Sequence, residues 1–180
     1  MKHIKNMTQA EVAAYVQSHL RKKGISVVLS GGATVSIYTS NKYVSADIDL
    51  VNAFFAERNK IKKAMEEIGF HEMDRYFTHP DTKHLVEFPP GPLSVGDEMV
   101  KDINEIKLAT GILRVISPTD CVKDRLSWYY HMNDQQCLHQ AIQVAQKHDI
   151  DLNEIRRWSE GEGKLNELKK IKEKLTRKRA

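Results

Sequence analysis

Residues 25–51 read ISVVLSGGATVSIYTSNKYVSADIDLV, and the order of residue types in this stretch decides the fold. An apolar run (Ile25, Val27, Val28, Leu29) leads into Ser30-Gly31-Gly32, a short helical segment with Val35, Ile37 and Tyr38 follows, and a second strand carries Asp47 and Asp49. Side chains of a strand point to alternate faces, so Asp47 and Asp49 project together while Ile48 and Leu50 turn into apolar packing. Two carboxylates on one face repel each other and lose hydration unless a cation lies between them. A hard divalent ion such as Mg2+ takes such oxygens and keeps positions open for water and phosphate.

The glycines supply the other half of the pattern. Without a Cβ, Gly31 and Gly32 let the chain turn sharply and let a ligand approach the main chain. A helix starting there directs its first free N–H groups and its positive dipole end into the same gap. A phosphate chain would then lie between backbone donors and a carboxylate-held metal.

Outward from this stretch, Thr8-Gln9-Ala10-Glu11 is a capping box opening a helix with Val12, Ala13, Val16 and Leu20 inward, and Gly24 ends it. A helix is expected over residues 56–68 with Ile61, Ala64, Met65 and Ile68 on one face, closed by Gly69. Strands are expected over residues 70–78 and 83–88, joined by a turn at His79-Pro80-Asp81 and stopped by Pro89-Pro90-Gly91-Pro92. In the second of them Glu87 shares a face with Leu85, so it can point where the aspartates do if the strands are neighbours. Residues 103–108 and 112–116 read as a hairpin around Thr110-Gly111. Ser117-Pro118-Thr119-Asp120 is a helix start with a Ser cap and Pro in the first turn. Further helices are expected over residues 134–148, after an Asp151 cap, and after a cap at Ser159-Glu160-Gly161-Glu162.

In this order the residues resemble the polymerase-beta-like nucleotidyltransferases, among them minimal toxin-type and antibiotic-modifying members. The family signature of an apolar residue, Gly-Gly or Gly-Ser, a short helix and Asp-h-Asp-h matches Leu29-Ser30-Gly31-Gly32 and Asp47-Ile48-Asp49-Leu50. Ser45 stands two residues before the first Asp, as in many small members, and Val86-Glu87-Phe88 fits the slot of a third carboxylate on a later strand. The resemblance covers roughly residues 25–116; the fourteen residues from Ala33 to Ala46 sit at or beyond the long end of the usual spacing.

The resemblance implies an α+β fold: a nucleotidyltransferase-type mixed β-sheet flanked by helices over residues 1–116, then a C-terminal helical region, residues 117–180, packed on it. It implies a Mg-dependent nucleotidyltransferase that moves a nucleoside monophosphate from an NTP, ATP among the candidates, to an acceptor hydroxyl on RNA, protein or a small molecule. Asp47, Asp49 and Glu87 would hold two Mg2+ ions and carry catalysis, while Ser30, Gly31, Gly32 and Ser45 would bind nucleotide. Lys123 in SPTDCVKDRL resembles a lysine that reaches the triphosphate in toxin-type relatives; Arg125 competes for that role, and Asp134 resembles an acidic residue opening the next helix. Partner proteins and toxin–antitoxin or defence pairs are common among such relatives. A nucleotide-binding module that has lost turnover, and a nucleic-acid-binding protein led by the C-terminal helices, are the alternatives.

Composition narrows the setting. The 180 residues are 41% hydrophobic and 29% charged, ordinary for a folded domain. No apolar run approaches the ~20 residues needed to cross a bilayer, and MKHIKNMTQAE lacks the apolar stretch of a secretory signal, so a cytoplasmic location is expected. Cys121 and Cys137 are isolated and read as buried reduced thiols, and the eight His residues include no HExxH. Eight basic and two acidic residues follow position 163, a net of +6, which leaves residues 1–163 at −2. The basic character thus belongs to the tail, where it suits RNA or another polyanion or a solvated helix end.

Overall fold

The structure, a computed structural model, describes residues 2–40, 45, 47–52 and 56–177. Seven strands form one mixed sheet in the order β3-β4-β5-β2-β1-β9-β8. The strands are β1 (Val27–Ser30), β2 (Asp47–Asn52), β3 (His71–Met73), β4 (Tyr76–His79), β5 (Thr82–Glu87), β8 (Ile103–Leu108) and β9 (Gly111–Ile116). A separate two-stranded ribbon is made by β6 (Ser94–Val95) and β7 (Glu98–Met99). The helices are α1 (Gln9–Lys22), α2 (Gly31–Tyr38), α3 (Arg58–Glu66), α4 (Pro118–Met132), α5 (Gln135–Lys147), α6 (Leu152–Gly161) and α7 (Leu165–Thr176). Among the described residues no helix is long and apolar enough to cross a membrane.

Local chemistry explains most of these boundaries. Thr8 accepts from the Glu11 N–H while Glu11 accepts from the Thr8 N–H, so the capping box of α1 is formed, and Gly24 leaves the helix in the left-handed region at φ +71°. Ser117 caps α4 with Pro118 in the first turn, and Asp134 and Asp151 cap α5 and α6. Two expectations are corrected. The strand foreseen over residues 70–78 is two, β3 and β4, because Asp74 takes a left-handed turn (φ 55°) and folds the chain back on itself. Ser159 does not cap a helix but lies within the last turn of α6, buried and hydrogen-bonded to the Tyr130 hydroxyl, and α7 starts at Leu165 after Lys164, whose side chain makes no cap. The β6–β7 ribbon, two residues on each side, is too short to show a period in the sequence.

The sheet is filled on its apolar faces by Leu29, Ile48, Leu50, Val86, Leu113 and Val115, all fully buried. The same cluster continues without a break into Cys121 and Leu126 of α4, Ala141 of α5, Trp158 of α6 and Leu175 of α7. Both thiols are buried and free. The end of α2 is held by α5: Lys147 donates to the Thr39 carbonyl at 2.6 Å, and His148 Nε2 donates to the Tyr38 carbonyl at 2.7 Å. These groups meet the negative end of the α2 dipole and its orphan carbonyls.

Gln17 fastens α1 to the sheet. Its amide donates to the Arg114 carbonyl at 2.9 Å and accepts from the Arg114 N–H at 2.7 Å, substituting for a strand partner at a point where β9 needs one. Replacing it with Leu fills the space but strands two part-buried backbone groups. Gln17→Leu should therefore cost about 2 kcal/mol and lower Tm by roughly 4–8 °C, measured by thermal denaturation of the purified chain.

Candidate active site

The acidic cluster is a product of strand register. β1 and β2 are antiparallel with Ser30 opposite Asp49, and β2 and β5 are parallel with Asp47 opposite Leu85 and Asp49 opposite Glu87. In-register neighbours put their side chains on the same face. Asp47, Asp49 and Glu87 therefore emerge together, half-buried, while Ile48 and Val86 between them are fully buried. One carboxylate oxygen from each of the three lies within 4.8 Å of the others. The three acidic positions read from the sequence are thus brought together from two strands.

Such a cluster is electrostatically costly. The Asp49 carboxyl is pushed up to about 7, chiefly by burial and then by the charges of Asp47 and Glu87, against a lowering influence from Arg125. Arg75 offers Glu87 partial compensation at 3.6 Å from the exposed β3–β4 turn. Three hard oxygen donors whose mutual repulsion is only partly relieved fit a divalent cation.

Gly31 forms the adjoining wall. It opens α2 at φ +68°, and a Cβ placed there would fall 2.2 Å from Asp49 Oδ2 and 3.1 Å from its carboxyl carbon. Any larger residue would have both a strained backbone and an aspartate forced out of the cluster. The N–H groups of the first turn of α2, from Gly31 and Gly32 onward, have no intrahelical acceptor and stand beside this carboxylate. Ser30 is the N-cap of α2 and makes no side-chain cap hydrogen bond.

Ser45 is buried and supports the strand. Its hydroxyl donates to Asp47 Oδ1 at 3.1 Å and its N–H donates to Ser36 Oγ at 3.0 Å. Gln9, at the start of α1, donates to the carbonyls of Ser45 and Asp47 at 3.2 and 3.1 Å, fixing the point where β2 begins. Gln9 escapes a sequence reading because only its place in the capping box marks it. The loop expected over residues 41–45 as a cover for the site falls, apart from Ser45, outside the described residues.

The two basic candidates on α4 face different ways. Lys123 is buried, donates to Glu154 at 2.9 Å and to Asp120 at 3.1 Å, and lies over the Trp158 ring. It lines a cavity of about 640 Å³ with Ser117, Asp120, Glu154 and Arg157, which includes none of the three acidic residues. Arg125 is the cation that acts on Asp49. Its guanidinium is held by Asp124 and approaches Gln140 Oε1 at 3.5 Å and Cys137 Sγ at 3.8 Å. Asp134 is taken up in capping α5 through the N–H groups of Gln136 and Cys137.

No family model matches the chain, and no curated protein matches it in sequence. Among solved structures it is similar to an antigenic nucleotidyltransferase-like protein from Paracoccidioides brasiliensis, with a TM-score of 0.63 at 13% identity over 94% of this chain and 93% of that one. It is also similar to the antibiotic-resistance factor ANT(2″)-Ia in solution, with a TM-score of 0.52 at 13% identity over 87% and 86% of the two chains. A crystal structure of ANT(2″)-Ia in complex with adenylyl-2″-tobramycin gives 0.50 at 13% identity over 77% and 88%. The chain has the fold of the nucleotidyltransferases.

Proposed function

We propose that this protein is a nucleotidyltransferase that moves a nucleoside monophosphate from an NTP to an acceptor hydroxyl, with pyrophosphate as the leaving group. The observation that carries this reading is the convergence of Asp47, Asp49 and Glu87 beside the N-terminus of α2. An inactive binding module would have no use for three half-buried carboxylates held in mutual repulsion. The fold and the ANT(2″)-Ia neighbour, crystallised with an adenylylated product, agree with group transfer.

Asp47, Asp49 and Glu87 would hold Mg2+, which when bound neutralises phosphate charge and lowers the pKa of the acceptor hydroxyl. Asp49, between Asp47 on its own strand and Glu87 on the next, would be the central residue of the set that holds metal. Ser45 keeps Asp47 oriented through its hydroxyl. Ser30, Gly31 and Gly32 offer backbone donors at the start of α2 for the outer phosphates. Both α4 cations are paired, Arg125 with Asp124 and Lys123 with Asp120 and Glu154; we assign the role toward phosphate to Arg125, because it acts on Asp49 whereas Lys123 lines a cavity that includes none of Asp47, Asp49 and Glu87. RNA, protein and small-molecule acceptors all carry the hydroxyl that this chemistry needs. Action within a toxin–antitoxin or defence pair belongs to the same reading and rests on the sequence resemblance.

Incubation of the chain with Mg2+ and each labelled NTP, with tRNA, total protein and aminoglycosides as acceptors, should give label transfer that Asp47→Ala and Asp49→Ala each reduce by roughly 10²-fold or more. Equal transfer by wild type and variants removes the metal assignment.

The raised Asp49 carboxyl gives a pH test. Without metal, the folded chain keeps a proton that the unfolded chain releases, so stability falls as pH rises from the ordinary carboxylate range to about 7, and the loss is complete above that. In EDTA, Asp49→Asn should have the higher Tm at about pH 8, by roughly 3–6 °C, and the gap should shrink towards about pH 5. Added Mg2+ should raise the Tm of wild type more than that of the variant.

Arg125→Ala should weaken NTP binding by about tenfold, read by calorimetry with Mg2+. Lys123→Ala should leave that affinity within about twofold and instead lower Tm, since it takes the ammonium partner from the buried Asp120 carboxylate, while Glu154 keeps Arg157.

A further inference from the structure

β8 (Ile103–Leu108) is one edge of the seven-stranded sheet; β3, the other edge, is three residues long against six for β8. β8 pairs with β9 on its inner side, where Glu105 stands opposite Arg114. The N–H and C=O of Arg114 are both bonded to the Gln17 side chain, at 2.7 and 2.9 Å, so they face away from β8. Opposed residues of an antiparallel pair exchange both hydrogen bonds or neither. Glu105 therefore directs its own N–H and C=O to the open side, and by the alternation of a strand so do Ile103 and Lys107. Among the described residues no backbone group outside the sheet ladder bonds to them. Such a row of free donors and acceptors is a template for another strand.

The side chains decide which strand fits. A second copy of β8 adds antiparallel across a two-fold axis only with outward-directed residues opposite one another. Two such registers pair five of its six residues. Centred on Glu105, the pairing sets that carboxylate against its own copy. Centred on Ile106, it sets Glu105 against Lys107 of the second copy on both sides of the axis. Directly opposed unlike charges stabilise a strand pair, and like charges destabilise it. Lys on an edge strand ordinarily discourages pairing, but here each Lys meets a Glu. Both residues are exposed in the single chain, where Glu105 has Arg114 at 3.9 Å. On the opposite face, Ile106 lies beside the buried Leu113 and is itself only partly covered, and in this register it meets Ile106 of the second copy.

We propose that β8 pairs with β8 of a second copy of this chain, antiparallel and centred on Ile106, so that two sheets become one. β8 is the third strand from β2, so at about 4.8 Å per strand the new contact lies about 14 Å from the strand of the two aspartates. The inference is independent of the reaction assigned to that site.

The test begins with sedimentation equilibrium of the 180-residue chain from about 1 to about 500 µM, a range suited to a contact smaller than a standard interface. The mass should rise reversibly from 20.7 kDa towards twice that value. Lys107→Glu and Glu105→Lys should each weaken association by about tenfold or more, because each sets two like-charge pairs across the axis. The double variant Glu105→Lys/Lys107→Glu should return it to within about threefold of wild type, and an equimolar mixture of the two single variants should associate where neither does alone. A single variant that failed to fold would not associate in the mixture. Ile106→Cys, treated with oxidised glutathione, should give a disulfide-linked dimer, since the pair on the axis exchanges no hydrogen bonds and brings its Cα atoms to about 4.5 Å. Cys121 and Cys137 do not compete, because both are buried.

A chain that stays monomeric at the highest concentration overturns the proposal and leaves the edge to a strand of a different protein. Association that neither single charge variant weakens also overturns it, since the contact then lies on another surface. Loss in the single variants with no recovery in the double variant or the mixture overturns it too, as does Ile106→Cys that forms no cross-link.

Discussion

Everything at this site depends on like charges being held together by backbone hydrogen bonds. β2 lies between β1 and β5, and its register with β5 sets Asp49 directly beside Glu87. The repulsion that results is countered by the ladder and by burial of Ile48, Leu50 and Val86 on the opposite face. A slip of one residue would turn the carboxylates into the core and the apolar side chains outward, so the packing that stabilises the sheet also selects the acidic cluster. Gln9, Ser36 and Ser45 add side-chain hydrogen bonds that fix where β2 begins.

The second constraint is steric. Gly31 leaves room for the Asp49 carboxylate, and its left-handed backbone turns β1 into α2 within one residue. This joins the two halves of the motif physically: the aspartate occupies the volume that a side chain at position 31 would fill. The free N–H groups of α2 and the carboxylates thereby come to border one space, with Arg125 of α4 as the nearby cation.

Much of this was legible in the sequence because it is written in short-range patterns. The alternation at Asp47-Ile48-Asp49-Leu50, the Thr8 to Glu11 box and the Ser117-Pro118 helix start depend on neighbours within four residues, and all have the expected structure. Glu87 was legible through the same alternation once β5 was taken as a neighbour of β2. What escaped depends on distant contacts. Ser159 has the composition of a cap, yet it is buried beside Tyr130 inside α6 instead of opening the next helix. Lys123 and Arg125 lie two positions apart on one helix, and their different partners, Asp120 and Glu154 for the first and Asp124 and Gln140 for the second, are a tertiary property. Gln9 and Gln17 are ordinary polar residues until the backbone groups they bond are known.

α5 ties the two parts of the chain together at both of its ends. Its first turns, through Cys137 and Gln140, touch the Arg125 guanidinium, and its last residues lead to the Lys147 and His148 bonds on the end of α2. A polypeptide cut after residue 116 would retain all three carboxylates of the cluster yet lose both Arg125 and the brace on the glycine helix. Mechanical support for α2, whose start borders the acidic cluster, thus extends well beyond the last strand of the sheet.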